Sequence, residues 1–126
     1  MRIQIDTTEA FSFELVEPGP YALKVNAIGD VAEGPNSKYV TVEFEFADPQ
    51  IAKQAGKMWR NYPITGKGAG FFREFWKAAT GEDIPLNTQI DVDTDEAIGA
   101  MVMGNVTHEE YEGKTRNVPG TLTQMQ

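Results

Sequence analysis

The chain contains no cysteine, a single histidine and no long apolar run. Without cysteine there is no disulfide and no thiolate chemistry. With His108 alone, a multi-histidine metal site is excluded, and with no nucleophile elbow beside it no Ser-His-Asp set is arguable. No stretch approaches the roughly 20 apolar residues that span a bilayer, so no membrane association is expected. The opening Met1-Arg2-Ile3-Gln4-Ile5-Asp6 lacks a basic region followed by a long apolar one. No secretory signal is read there, and a reducing cytoplasm is the expected compartment.

The 126 residues fit one domain, 1–126, large enough to bury a core without a metal or a cross-link. The net charge of −8 argues against phosphate binding by the surface as a whole. The charge is uneven, however. Lys57, Arg60, Lys67, Arg73 and Lys77 face only Glu74 in one stretch, whereas Glu82 to Glu96 holds acids and no base.

Period-two alternation dominates. Residues 1–19 form a lead-in, in which Phe11, Phe13 and Leu15 alternate as a short edge strand would. Pro18-Gly19-Pro20 marks a turn, and Tyr21 to Val31 reads as the first strand. Tyr39 to Phe46 is the second, with Val40, Val42, Phe44 and Phe46 on one face and Tyr39, Thr41, Glu43 and Glu45 on the other. β-Branched and aromatic residues resist a helical reading there. Asp48-Pro49 opens a connection that Gly56 closes. Lys57 to Ile64 is the third strand, with Met58, Arg60 and Tyr62 opposed to Trp59 and Asn61.

After Gly66-Lys67-Gly68-Ala69-Gly70, the stretch Phe71 to Thr80 is an amphipathic helix. Phe71, Phe72, Phe75, Trp76 and Ala79 share its apolar face, and Gly81 caps it. Met101 to His108 and Lys114 to Val118 form a hairpin across Glu110-Tyr111-Glu112-Gly113, and residues 119–126 read as a short polar tail. Three strands, a helix and two strands is the order of a mostly β, five-stranded OB-type barrel, with its helix between strands 3 and 4. A small sandwich with the helix at one end is the rival.

The enzyme signatures fail. The glycine-rich loop lacks the Walker ending, so it reads as a hinge. Asp91, Asp93 and Asp95 have the spacing that opens an EF-hand loop, but Glu96 and Val102 stand where its glycine and final glutamate belong. No catalytic residue, metal or cofactor is expected. What remains is aromatic interleaved with basic: Lys57, Trp59, Arg60 and Tyr62 on the third strand, Lys38 and Tyr39 on the second, and Tyr111, Lys114 and Arg116 at the last turn. In an OB barrel these strands and that turn line the binding groove. Single-stranded nucleic acid binds such grooves by stacking bases on rings while cations follow its backbone. Lys24 is a weaker candidate. Trp76 reads as core, and Trp59 and Tyr62 lie on opposite faces, so one of them points inward.

Several stretches together resemble a family of small tailed-phage proteins encoded among replication and recombination functions. They are Pro20-Tyr21-Ala22-Leu23-Lys24-Val25, Tyr39 to Phe46, Phe72-Arg73-Glu74-Phe75-Trp76-Lys77-Ala78-Ala79-Thr80-Gly81, Ile98-Gly99-Ala100-Met101-Val102 and Tyr111 to Val118. Members are regarded as OB-fold single-stranded DNA-binding proteins. The resemblance covers about residues 20–118 and implies a phage origin, action in the bacterial host's cytoplasm and single-stranded DNA as ligand. Phage replication or recombination proteins and further copies of the chain are the partners it suggests. The tail Gly120 to Gln126 departs from the acidic, partner-recruiting tail of many such proteins, since it has no acid. The alternative is an OB module or virion accessory that docks a protein, for which an acidic surface is suited. A third reading is carbohydrate binding through exposed rings.

Overall fold

A computed structural model describes residues 1–5 and 14–125, with Tyr111 described by its backbone alone. The alternation at Phe11 and Phe13 lies outside the described residues, and Leu15 is not in a strand. The elements are β1 (Gly19–Ile28), β2 (Ala32–Glu33), β3 (Lys38–Phe46), α1 (Pro49–Ala55), β4 (Lys57–Pro63), α2 (Ala69–Thr80), β5 (Met101–Tyr111) and β6 (Lys114–Gln124).

The strands form one six-stranded antiparallel sheet. Tyr39 pairs with Ala32 on one side and with Pro63 on the other. The two-residue β2 therefore continues the edge that β1 occupies, and the spatial order is β4-β3-β1-β5-β6. The expected first strand, Tyr21 to Val31, instead starts at Gly19 and ends at Ile28, and β2 follows beyond it. Along β3 the buried side chains are Val40, Val42, Phe44 and Phe46, as the alternation requires. Leu23 and Val25 of β1, Met58 and Tyr62 of β4, and Val102 and Val106 of β5 complete the inner face. Gly104, also on that face, leaves room that a Cβ would take only 2.5 Å from Leu23 Cδ1.

α2 covers this face. Phe72, Phe75 and Trp76 are buried at helical spacing, and Gly81 ends the helix with its N–H on the Lys77 carbonyl. Phe71, expected on the same face, is instead exposed. Consecutive residues stand about 100° apart on a helix, so Phe71 and Phe72 cannot both occupy the centre of one stripe.

Three further differences have local causes. The connection after Asp48 is a helix: the Asp48 carboxylate accepts from the Gln50 N–H, Pro49 takes the first turn and Gly56 closes it. Residues 119–124, expected as tail, extend β6. Pro119 pairs with Val106, and the register then shifts between Gly104 and Val106. That shift is a bulge, which accommodates a proline and a glycine that would otherwise end a strand. Finally, the expected barrel closure is not found: among the described residues the sheet stays open, with no backbone pairing between β4 and β6.

Candidate functional site

β4 leaves Gly56 with Met58, Arg60 and Tyr62 turned inward and Lys57, Trp59 and Asn61 outward. Trp59 keeps 49% of its surface exposed, unusual for a tryptophan on a strand. It lines a groove of about 340 Å³ together with Lys57, Lys114, Arg116 and Leu15. The opposite wall is the start of β6, which a tight turn brings back along β5. Tyr111 pairs with Lys114, and Glu112 and Gly113 both have positive φ, 52° and 79°. That is the two-residue type I′ geometry favoured by strand twist. Lys57 approaches a half-buried Glu43 at 3.5 Å, and Arg116 approaches Glu109 at 3.7 Å as an exposed pair. The structure thus brings Lys57, Trp59, Lys114 and Arg116 together. The Tyr111 side chain lies outside what is described.

Residues 14–17 form a strap along this groove. The Asn117 side chain accepts from the Val16 N–H at 3.0 Å and donates to the Glu14 carbonyl at 2.9 Å. The Glu14 N–H reaches the Gln54 carbonyl of α1. His108 Nε2 stands 2.6 Å from the Val16 carbonyl, and since a carbonyl only accepts, Nε2 carries the proton. His108 thereby fastens a backbone. Among the described residues no group of three His, Cys, Asp or Glu is placed to hold a metal. Asn117 lay in a stretch that carried the resemblance but was not read as a site residue, because a side chain that mimics a ladder pair leaves no periodic trace.

Lys38 and Tyr39 lie at the far end of β3. Tyr39 pairs with Pro63 and Trp59 with Glu43, so about four residues, roughly 13 Å, separate the two rings along the sheet. Thr41 falls between them on the outer face, while Glu43 stands opposite Trp59 and Glu45, beyond it, opposite Lys57. Lys24 is exposed and pairs with Glu45 on the other side. These residues form a mixed-charge surface rather than a cationic one.

Arg60 and Tyr62 do not join the groove. Tyr62, expected to offer its ring to a base, is 1% exposed and stacks on Phe75 with centroids 5.1 Å apart. Arg60, expected to meet phosphate, donates from Nη1 to the Pro119 and Gly120 carbonyls at 3.2 and 2.8 Å. Those carbonyls lie at the β6 bulge, so the guanidinium bridges the seam between β4 and β6 that the backbone leaves open. Its central carbon lies 4.9 Å from the Tyr62 ring and 5.5 Å from that of Phe71.

Burial pushes the Tyr62 phenol from its ordinary 10.0 up to about 12, against the pull of the Arg60 charge; Glu74 adds to the rise. The fold therefore holds this proton where the unfolded chain releases it. Stability present below pH 10 is lost as pH rises towards 12, by about 3 kcal/mol. Urea unfolding at pH 9 and pH 11.5 should show about 2 kcal/mol of that loss, and Tyr62→Phe should reduce it.

Comparison of the sequence with family models gives no match, and comparison with the curated proteins gives none either.

Proposed function

We propose that the chain is a single-stranded DNA-binding protein of OB type, working without strong sequence preference in phage replication or recombination. The strand order and the helix between β4 and β5 support the fold reading, since an OB barrel is a partly open Greek key whose second and third strands and last turn carry the ligand. β3, β4 and the β5–β6 turn occupy those places. The observation that carries the function is Trp59, a half-exposed ring on a groove shared with Lys57, Lys114 and Arg116. A base stacks on such a ring while the cations meet the flanking phosphates. The binding is passive, with no bond made or broken.

With about three phosphates met, log affinity should fall with log salt at a slope of about −2. Fluorescence anisotropy of a labelled oligo-dT of about 30 nucleotides, long enough for more than one OB site, tests this against a duplex control. Trp59→Ala should weaken binding by about 1–3 kcal/mol, roughly 5- to 150-fold. Absence of binding at low salt would overturn the proposal. A specific feature favours a second reading in that event: the acidic residues Glu43 and Glu45 on the outer face would suit a basic protein partner.

A further inference from the structure

The strap of residues 14–17 is fastened unevenly. Val16 is its firm point. It packs on the core, and both of its backbone polar groups are taken by one cross-strand pair of β5 and β6. Asn117 Oδ1 accepts from the Val16 N–H at 3.0 Å, and His108 Nε2 donates to the Val16 carbonyl at 2.6 Å. The two residues before it are held more lightly. Glu14 is tied through its backbone, its N–H to the Gln54 carbonyl at 2.9 Å and its carbonyl to Asn117 Nδ2 at 2.9 Å. The side chains of Glu14 and Leu15 are exposed, so lifting this stretch gives up little buried surface. Segments of that kind open locally at low cost while the rest of the fold stays intact. Yet both side chains stand on the Trp59 groove, which they line with Lys57, Lys114 and Arg116.

That placement works against a polyanion. A carboxylate among three cations weakens the potential that draws a phosphate, and a phosphate arriving there meets like charge at short range. Leu15 takes up space in a groove where a base needs the open face of Trp59. We propose that Glu14 and Leu15 form an autoinhibitory flap on the Trp59 groove, hinged at Val16, which single-stranded DNA lifts as it binds. The proposal rests on the reading of this groove as a single-strand site and adds its regulation. Lifting breaks the two hydrogen bonds of Glu14 and leaves the grip of His108 and Asn117 on Val16 closed. A ligand that offers phosphate alone has the flap against it. One that also stacks on Trp59 offsets the opening, so the flap favours strands with accessible bases. Glu112 lines the same groove from the β5–β6 turn, which is part of the wall and does not lift. It is therefore the control for charge without movement.

Amide hydrogen exchange and affinity test this on the intact chain, with oligo-dT of about 30 nucleotides at low salt. Saturation with the oligonucleotide should speed exchange of the Glu14 amide about tenfold and leave the Val16 amide protected. Glu14→Gln should tighten binding about fivefold, and Glu112→Gln by clearly less. Leu15→Gly loosens the flap and bares the groove, so it too should tighten binding. Both flap positions are exposed, so these variants should fold as the parent does. Trp59-dependent binding with the Glu14 amide still protected would overturn the flap alone. So would a gain in Glu14→Gln no larger than in Glu112→Gln. Weaker binding by Leu15→Gly would likewise overturn it, since Leu15 would then be a contact for the base and not a cover. Binding by Glu14→Gln where the parent binds nothing would support the flap in its strongest form. Absence of binding by the parent and by every variant would overturn the single-strand reading and the flap with it.

Discussion

Replacing Phe75 by alanine should lower the free energy of unfolding by about 3–5 kcal/mol, the range for truncating a buried phenylalanine. Phe75 is 0% exposed and touches three other rings: Phe44 edge-on at 6.1 Å, Tyr62 stacked at 5.1 Å and Phe72 at 5.8 Å. Phe44 belongs to β3, Tyr62 to β4 and Phe72 to α2, so one side chain holds the helix onto two strands. Alanine would forfeit the buried area and leave a hole that the stiff sheet cannot close. The ring pairs add a further share beyond area. Urea denaturation measures the change; a loss below about 1 kcal/mol would mean that α2 does not rest on the sheet through this residue.

Arg60→Met should cost about 2–3 kcal/mol, although it removes a charge from a partly buried position. Two carbonyls, of Pro119 and Gly120, take their donor from Arg60. Methionine fills similar space and leaves both without that donor at a place where β4 and β6 are joined by side chain rather than by backbone. Arg60→Lys should recover little. A compact ammonium lacks the planar fork that serves two carbonyls while lying between the rings of Tyr62 and Phe71. Denaturation of both variants decides the point. A neutral Arg60→Met would show that the seam holds without its bridge.

The sequence disclosed most where one physical demand acted alone. β3 is wet on one face and dry on the other, and its strict alternation stated both its existence and its orientation. The last hairpin was plain as a hairpin, but its turn, read across Glu110 to Gly113, is only Glu112-Gly113, because β5 runs three residues past His108 to Tyr111. β4 was legible as a strand but not in its facing. Its two faces read Met58, Arg60, Tyr62 and Lys57, Trp59, Asn61, each carrying one ring and polar company. The choice between them falls to the partner across the interior: Phe75 offers Tyr62 a stacked ring, and Trp59 is left outside. α1 was missed because seven residues carry too little periodicity, although Asp48-Pro49 and Gly56 punctuate it at both ends. β6 was cut short at Pro119-Gly120, since a bulge tolerates residues that local propensity reads as a stop.

The candidate site was legible as composition and not as geometry. Lys57, Trp59, Lys114 and Arg116 meet because β4 and β6 run side by side in the same direction, a long-range fact that no local window contains. Arg60 and Tyr62 carry the same residue types and were drawn inward by parity. Phe71 took the opposite course, from expected core to exposed ring.

The most direct measurement is intrinsic fluorescence during titration with oligo-dT. The chain has two tryptophans, of which Trp76 is buried and Trp59 half-exposed. A base stacking on Trp59 should quench emission saturably, added salt should restore it, and Trp59→Phe should abolish the change. Unaltered emission from a folded chain at low salt, or the same quenching in Trp59→Phe, would contradict the placing of single-stranded DNA on this groove.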